Sequence, residues 1–193
     1  MLYILTGCAG FLVLHLFDLV SIKRWPLAKP FTWLLGSGLL IYALVMISLQ
    51  PAKLLLPVWS FWFGWFALAL SWLLLIYSLF LNLPFRRTYL TAGVGDELVR
   101  TGLYALVRHP GVHWFTVFLF SLVLVTRSSL FIIAAPIFII IDIALVIVQD
   151  KIIFDGMFPG YASYRQTTPM LLPNRQSIKA CLGSLRKLEL KAD

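Results

Sequence analysis

Arg100, Gly102, Tyr104, Arg108, His109 and Pro110 fall within eleven residues, immediately before an apolar run that begins at Gly111. Arginine forks hold carboxylates and phosphates, and histidine moves protons near neutral pH. Pro110 has no amide hydrogen and a fixed φ, which suits the first position of a helix. The amides of Gly111, Val112 and His113 are then left pointing out of the helix end. Such an end attracts anions through its free N–H groups and its dipole, and Arg108 and His109 stand beside it. The same tripeptide also serves a plainer purpose, with Arg108 as an interface anchor and His109-Pro110 as a helix start.

A second group of polar residues follows the last apolar run: Gln149-Asp150-Lys151, then Phe158-Pro159-Gly160-Tyr161-Ala162-Ser163-Tyr164-Arg165, ending at Pro169-Met170-Leu171-Leu172-Pro173. Two tyrosines three apart place their rings on one helix face, to pack on an adenine or on the membrane interface. Between Phe85 and Val99, Gly93 and Gly95 around Asp96-Glu97 read as turn formers.

The elements that position these groups are set by composition. Of 193 residues, 61% are hydrophobic and 12% charged, and the mean hydropathy is +0.91. These values define an integral membrane protein of the all-α class. Five apolar runs, at 1–22, 31–49, 58–83, 111–126 and 129–148, are read as spans of a polytopic helical bundle. The first lacks a basic leader and is read as a retained helix. The last two, joined by Thr126-Arg127-Ser128-Ser129, form a tight antiparallel hairpin.

Fourteen of the sixteen Lys and Arg residues follow the first, third and fifth runs. That asymmetry predicts an outside N-terminus, a cytoplasmic C-terminus, and both polar segments on the cytoplasmic face. The net charge of +8 is distributed in short groups between apolar runs, a pattern for topology and lipid headgroups and not for nucleic acid. Cys8 and Cys181 lie in different environments and imply no disulfide or metal site.

Trp59, Trp62 and Trp65 with Phe61, Phe63 and Phe66 read as an interfacial belt, with a groove for a lipid chain as the alternative. His15 and Asp18, one turn apart, and Asp142 are ionisable groups at membrane depth, which usually face a bundle interior or a wet cavity. Asp18 is expected to pair with Lys23 or Arg24. Asp142 either lines a cavity under the site or buttresses a neighbouring helix. The basic tail after Asn174, with leucines at 182, 185, 188 and 190, reads as a loosely ordered or membrane-surface helix.

The combined pattern, Thr101-Gly102-x-Tyr104-x-x-x-Arg108-His109-Pro110, a helical hairpin, Asp150, and Phe158-x-Gly160-Tyr161-x-x-Tyr164 ending at Pro173, resembles the isoprenylcysteine carboxyl methyltransferase and phospholipid methyltransferase superfamily over residues 86–173. The resemblance implies S-adenosylmethionine as cofactor and a lipophilic acceptor entering from the lipid. It implicates Gly102, Tyr104, Arg108, His109, Pro110 and Gly111, then Asp150, Tyr161 and Tyr164, in cofactor binding, and Arg108 and His109 in catalysis. It implies a division into spans 1–83, a methyltransferase-like core 84–173 and a basic tail 174–193. The cofactor site would be cytoplasmic, closed by the loop before the fourth span and by the C-terminal segment, in a bacterial inner membrane or a eukaryotic endomembrane. Three positions depart from the pattern: Val112 for a tyrosine, Gln149 for a glutamate, and Met170 for an arginine. Two alternatives share parts of the motif: sterol-reductase-like enzymes using NADPH, and non-catalytic NnrU-like membrane proteins.

Overall fold

The computed structural model describes residues 1–25, 27–91 and 98–189, of which 186–189 are described as helical backbone only. Gly93, Gly95, Asp96 and Glu97, and the tail leucines 188 and 190, fall outside what is described of side chains. Among the described residues the chain is helical, with one isolated bridge between Lys53 and Ser128 and no strand. The order is α1 (Leu2–Ile22), α2 (Ala28–Ser48), α3 (Val58–Ile76), α4 (Leu103–Leu106), α5 (Pro110–Thr126), α6 (Phe131–Val148), α7 (Phe154–Met157), α8 (Tyr161–Thr167) and α9 (Arg175–Glu189). Wider π-helical turns extend α3 (Tyr77–Leu81), follow it (Arg86–Leu90) and join α6 to α7 (Gln149–Ile153).

Four stretches, Leu2–Ile22, Ala28–Ser48, Val58–Leu81 and Phe131–Met157, are long and apolar enough to cross a membrane. The chain is a membrane protein. The fourth apolar run forms the shorter α5, of 17 residues. α2 starts three residues earlier than its apolar run, ahead of Pro30, because a proline in the first helical turn has no intrahelical amide bond to lose.

The helices pack as two pairs, α1 on α2 and α3 on α5, with α6 beside α1 and α5. Gly10 and Gly36 allow the first crossing. A Cβ on Gly36 would stand 2.8 Å from the Leu14 amide nitrogen and 3.0 Å from the Gly10 carbonyl oxygen, so the two backbones touch. A core of Ile4, Phe11, Ile47, Leu119, Phe131 and Phe138 fills the end of the bundle near the α5–α6 turn. That turn is held by the α2–α3 loop: the Leu54 amide donates to Arg127 O (2.7 Å) and the Ser128 hydroxyl to Ile47 O (2.6 Å).

The opposite end is hollow. α2 and α3 barely touch each other, and a cavity of about 760 Å³ lies between the two helix pairs. On its wall Trp33, Phe80 and Tyr89, together with Phe85, form a mutually packed aromatic cluster with centroids 5.3–6.4 Å apart. On α3, Trp59, Trp62, Trp65 and Phe66 are exposed, and the cavity lining contains none of them.

Candidate functional site

The residues before α5 are fixed one bond at a time. Gly102 has φ +61°, open to glycine without strain, and its amide donates to Ser184 Oγ on α9 (2.9 Å). Asn82, just past the π-helical end of α3, accepts the Leu103 amide through Oδ1 (3.1 Å) and donates to Thr101 O (3.3 Å). Asn82 therefore does the work of a cap for the single turn α4. Tyr104 then reaches back to Ser78 O (3.2 Å).

After α4 the chain extends, and the two polar segments pair through their backbones. The Arg108 amide donates to Pro169 O (3.0 Å) and the His109 amide to Met170 O (3.2 Å). Met170 serves through its carbonyl, which any residue supplies. Pro110 opens α5 as its first helical residue, and no side chain caps that end.

Arg108 and Asp150 form a two-pronged ion pair, Nε to Oδ1 at 2.7 Å and Nη2 to Oδ2 at 2.8 Å, with exposures of 8% and 2%. Nη1 donates to Arg165 O (3.1 Å) and to Thr168 O. The Tyr161 hydroxyl donates to Asp150 Oδ1 (2.5 Å), and the Tyr164 hydroxyl to Tyr104 O (2.5 Å). Burial disfavours the Arg108 cation, but its bonds to Asp150 outweigh this and hold the guanidinium charged. The Tyr161 phenol is pushed up by burial and by the carboxylate it bonds, and the Tyr164 phenol chiefly by burial, so both remain donors.

The site residues that the resemblance implicates are thus brought to one region, but not with every expected job. The Arg108 fork, expected to grip an incoming carboxylate, holds Asp150, and Asp150, expected to face a ribose, holds Arg108 and Tyr161. The tyrosine rings pack on each other at 5.8 Å, on Phe154 in the case of Tyr161 (5.4 Å), and under Arg100 in the case of Tyr164 (5.8 Å). Arg100 also donates to Gly160 O (2.8 Å), where φ is +82°.

His109 is different. Its ring stacks on Phe154 (5.8 Å, 12°), and Nε2 stands 3.4 Å from Asp150 Oδ1 without making a hydrogen bond. It is buried and faces the cavity together with Pro110 and Gly111.

Several contacts around the junction and the cavity had no signal in the sequence. Asp18 accepts a hydrogen bond from Gln149 Nε2 at 2.5 Å, joining α1 to the end of α6. An amide at 149 fits there, since a glutamate would set two carboxylates against each other. Lys29, counted as a topology signal, is fully buried, donates to Thr91 O (3.1 Å) and lies 5.1 Å over the Phe17 ring. Asp142 lines the cavity, one of the two roles its position allowed. Of the tail, Arg175–Glu189 forms a helix: Ser177 and Cys181 are buried on the face of α9 from which Ser184 holds Gly102, and α9 packs on α4. No family model, curated protein or solved structure matches this chain.

Proposed function

We propose that the protein is an integral membrane methyltransferase that takes a methyl group from S-adenosylmethionine and places it on a lipophilic acceptor drawn from the bilayer between α2 and α3. The observation that carries this reading is the junction of the two motif halves, by Arg108–Asp150 and by the 108–109 and 169–170 backbone pairing, at the polar end of a deep apolar cavity. In this reading α5 is a fifth span, and the junction faces the cytoplasm with the C-terminal tail.

The residues around the junction fit a cofactor in part. His109 Nε2 and the uncapped start of α5 at Pro110-Gly111 are the groups with hydrogen-bonding capacity left for a carboxylate, and the Tyr104 ring offers apolar surface beside them. Arg108, Asp150, Tyr161 and Tyr164 are positioning residues, which hold His109 and the α5 end against the cavity. When bound, the cofactor would supply an electrophilic methyl on sulfonium. The chain supplies alignment and exclusion of water, which an in-line displacement needs most.

A second reading, a non-catalytic relative, is favoured by one specific observation: the Arg108 fork is already closed on Asp150. Calorimetric titration of the detergent-solubilised protein with S-adenosylmethionine and S-adenosylhomocysteine, with NADPH as control, separates the two. Saturable binding of the adenosyl compounds that weakens at least tenfold in His109→Ala supports the methyltransferase. Binding of no ligand supports the non-catalytic protein, and binding of NADPH alone supports a reductase.

A further inference from the structure

α9, of 15 residues, is too short to span a bilayer, yet it leaves aliphatic side chains uncovered. Its start is fixed. Asn174 Oδ1 accepts the Ser177 amide (2.8 Å) and Ser177 Oγ accepts the Asn174 amide (3.0 Å), a reciprocal cap. Asn174 comes four residues after Met170, whose carbonyl holds the His109 amide directly ahead of α5. The helix therefore starts close to the N-terminal end of α5, and Ser184 ties it to the Gly102 amide at the start of α4.

At 3.6 residues per turn, the side chains of α9 sort into successive arcs. Ser177, Cys181 and Ser184 form the arc turned to the protein, with Ser177 and Cys181 buried. Ile178, Leu182 and Leu185, spaced four and three apart, form the next arc and are 45%, 59% and 36% exposed. Beyond that stripe come Arg175 and Lys179, and then Gln176 and Ala180, all exposed. Leu172, two residues before the cap, is 82% exposed. A single exposed leucine is ordinary, but an aliphatic stripe running along a helix marks a surface that something apolar covers.

Position and charge say what covers it. The chain is a membrane protein, and α9 starts at the end of the bundle where α5 begins, so the bilayer boundary is at hand while the inner arc stays on α4. From Gly156 to Leu188 the sequence has five basic residues and no acidic one. An apolar stripe with a basic margin is the composition of a helix lying in the headgroup layer of an anionic membrane. A second copy pairing through the stripe would set the two basic margins against each other, whereas lipid phosphates neutralise them.

We infer that α9 is an interfacial helix lying along the headgroup layer of the protein's own bilayer, with Ile178, Leu182 and Leu185 at the acyl boundary and Arg175 and Lys179 on the phosphates of anionic phospholipids. It straps the turn before Arg108 to the membrane surface, through Ser184 on one side and lipid on the other. This role does not depend on the methyltransferase reading.

Spin-label accessibility tests it, on the full chain with Cys8 and Cys181 replaced by serine, in nanodiscs of phosphatidylcholine alone or of equal parts phosphatidylcholine and phosphatidylglycerol. A nitroxide on Leu182→Cys is expected to collide mainly with oxygen, which partitions into lipid, and one on Ala180→Cys mainly with a neutral nickel chelate, which stays in water. Phosphatidylglycerol is expected to raise the oxygen-to-nickel ratio at position 182 at least twofold, and Arg175→Gln/Lys179→Gln to abolish that rise. Ile178→Cys and Gln176→Cys form a second pair with the same expectation, so the reading does not hang on the loss of one leucine. Nickel access at 182 and 178 equal to that at 180 and 176 overturns the proposal. So does shielding of 182 and 178 from both reagents, which would mean a protein cover such as a second copy. A ratio indifferent to phosphatidylglycerol overturns the assignment of anionic lipid.

Discussion

At the residue scale, the Arg108–Asp150 pair decides how variants of the motif behave. Removing one partner leaves the other charge buried and unpaired. Arg108→Ala is therefore expected to lower stability by about 3–5 kcal/mol, quite apart from any effect on a ligand. The double variant Arg108→Met/Asp150→Leu is expected to recover most of that loss, and thermal unfolding in detergent reads both. Full stability in Arg108→Ala would mean that the pair does not hold the junction. The neighbouring phenols give a pH signature. In the unfolded chain tyrosines ionise near pH ~10, whereas Tyr161 and Tyr164 keep their protons in the folded protein beyond that pH. The folded state then binds more protons than the unfolded one, so the contribution of these two phenols to stability is constant below about pH 10 and is lost as pH rises above it. Absorbance titration of tyrosinate should show two phenols that ionise only on unfolding. Their ionisation in the folded protein at pH 11 would contradict the burial and bonding described.

At the scale of elements, the α1–α2 crossing depends on contact between backbones. A leucine at Gly36 would meet the Leu14 amide and Gly10 carbonyl, which cannot move aside as a flexible side chain can, and should cost about 1–3 kcal/mol or more. Gly38, two residues away, has no atom within 4 Å of a built Cβ. Gly38→Leu is the matched control and should melt like the parent protein. Helix positions were legible in the sequence because apolar length, charged flanks and Pro110 are local signals. The π-helical turns were not. They arise where long helices must rotate side chains toward partners, as Gln149–Ile153 does in bringing both Gln149 to Asp18 and Asp150 to Arg108.

At the scale of the whole molecule, the hollow between the two helix pairs sets what can enter. The proposed orientation has its own test, in a background with Cys8 and Cys181 replaced by serine. Lys53→Cys should react with a membrane-impermeant maleimide in intact cells, and Arg86→Cys only after permeabilisation. Reversed labelling would place the junction outside. Both positions are exposed, so reactivity reports side of the membrane and not burial.

The sequence alone determined that the chain is a helical membrane protein, where its long helices lie, and which polar residues stand beside them, because hydropathy, charge placement and helix ends act over a few residues. Tertiary structure decided what those polar residues do. Arg108 and Asp150 are 42 positions apart and Asp18 and Gln149 are 131 apart. Whether a guanidinium meets an incoming ligand or a carboxylate of its own chain depends on how distant segments approach. The cavity, likewise, is the space left where helix pairs diverge, and the apolar residues lining it resemble those facing lipid until the packing assigns them a side.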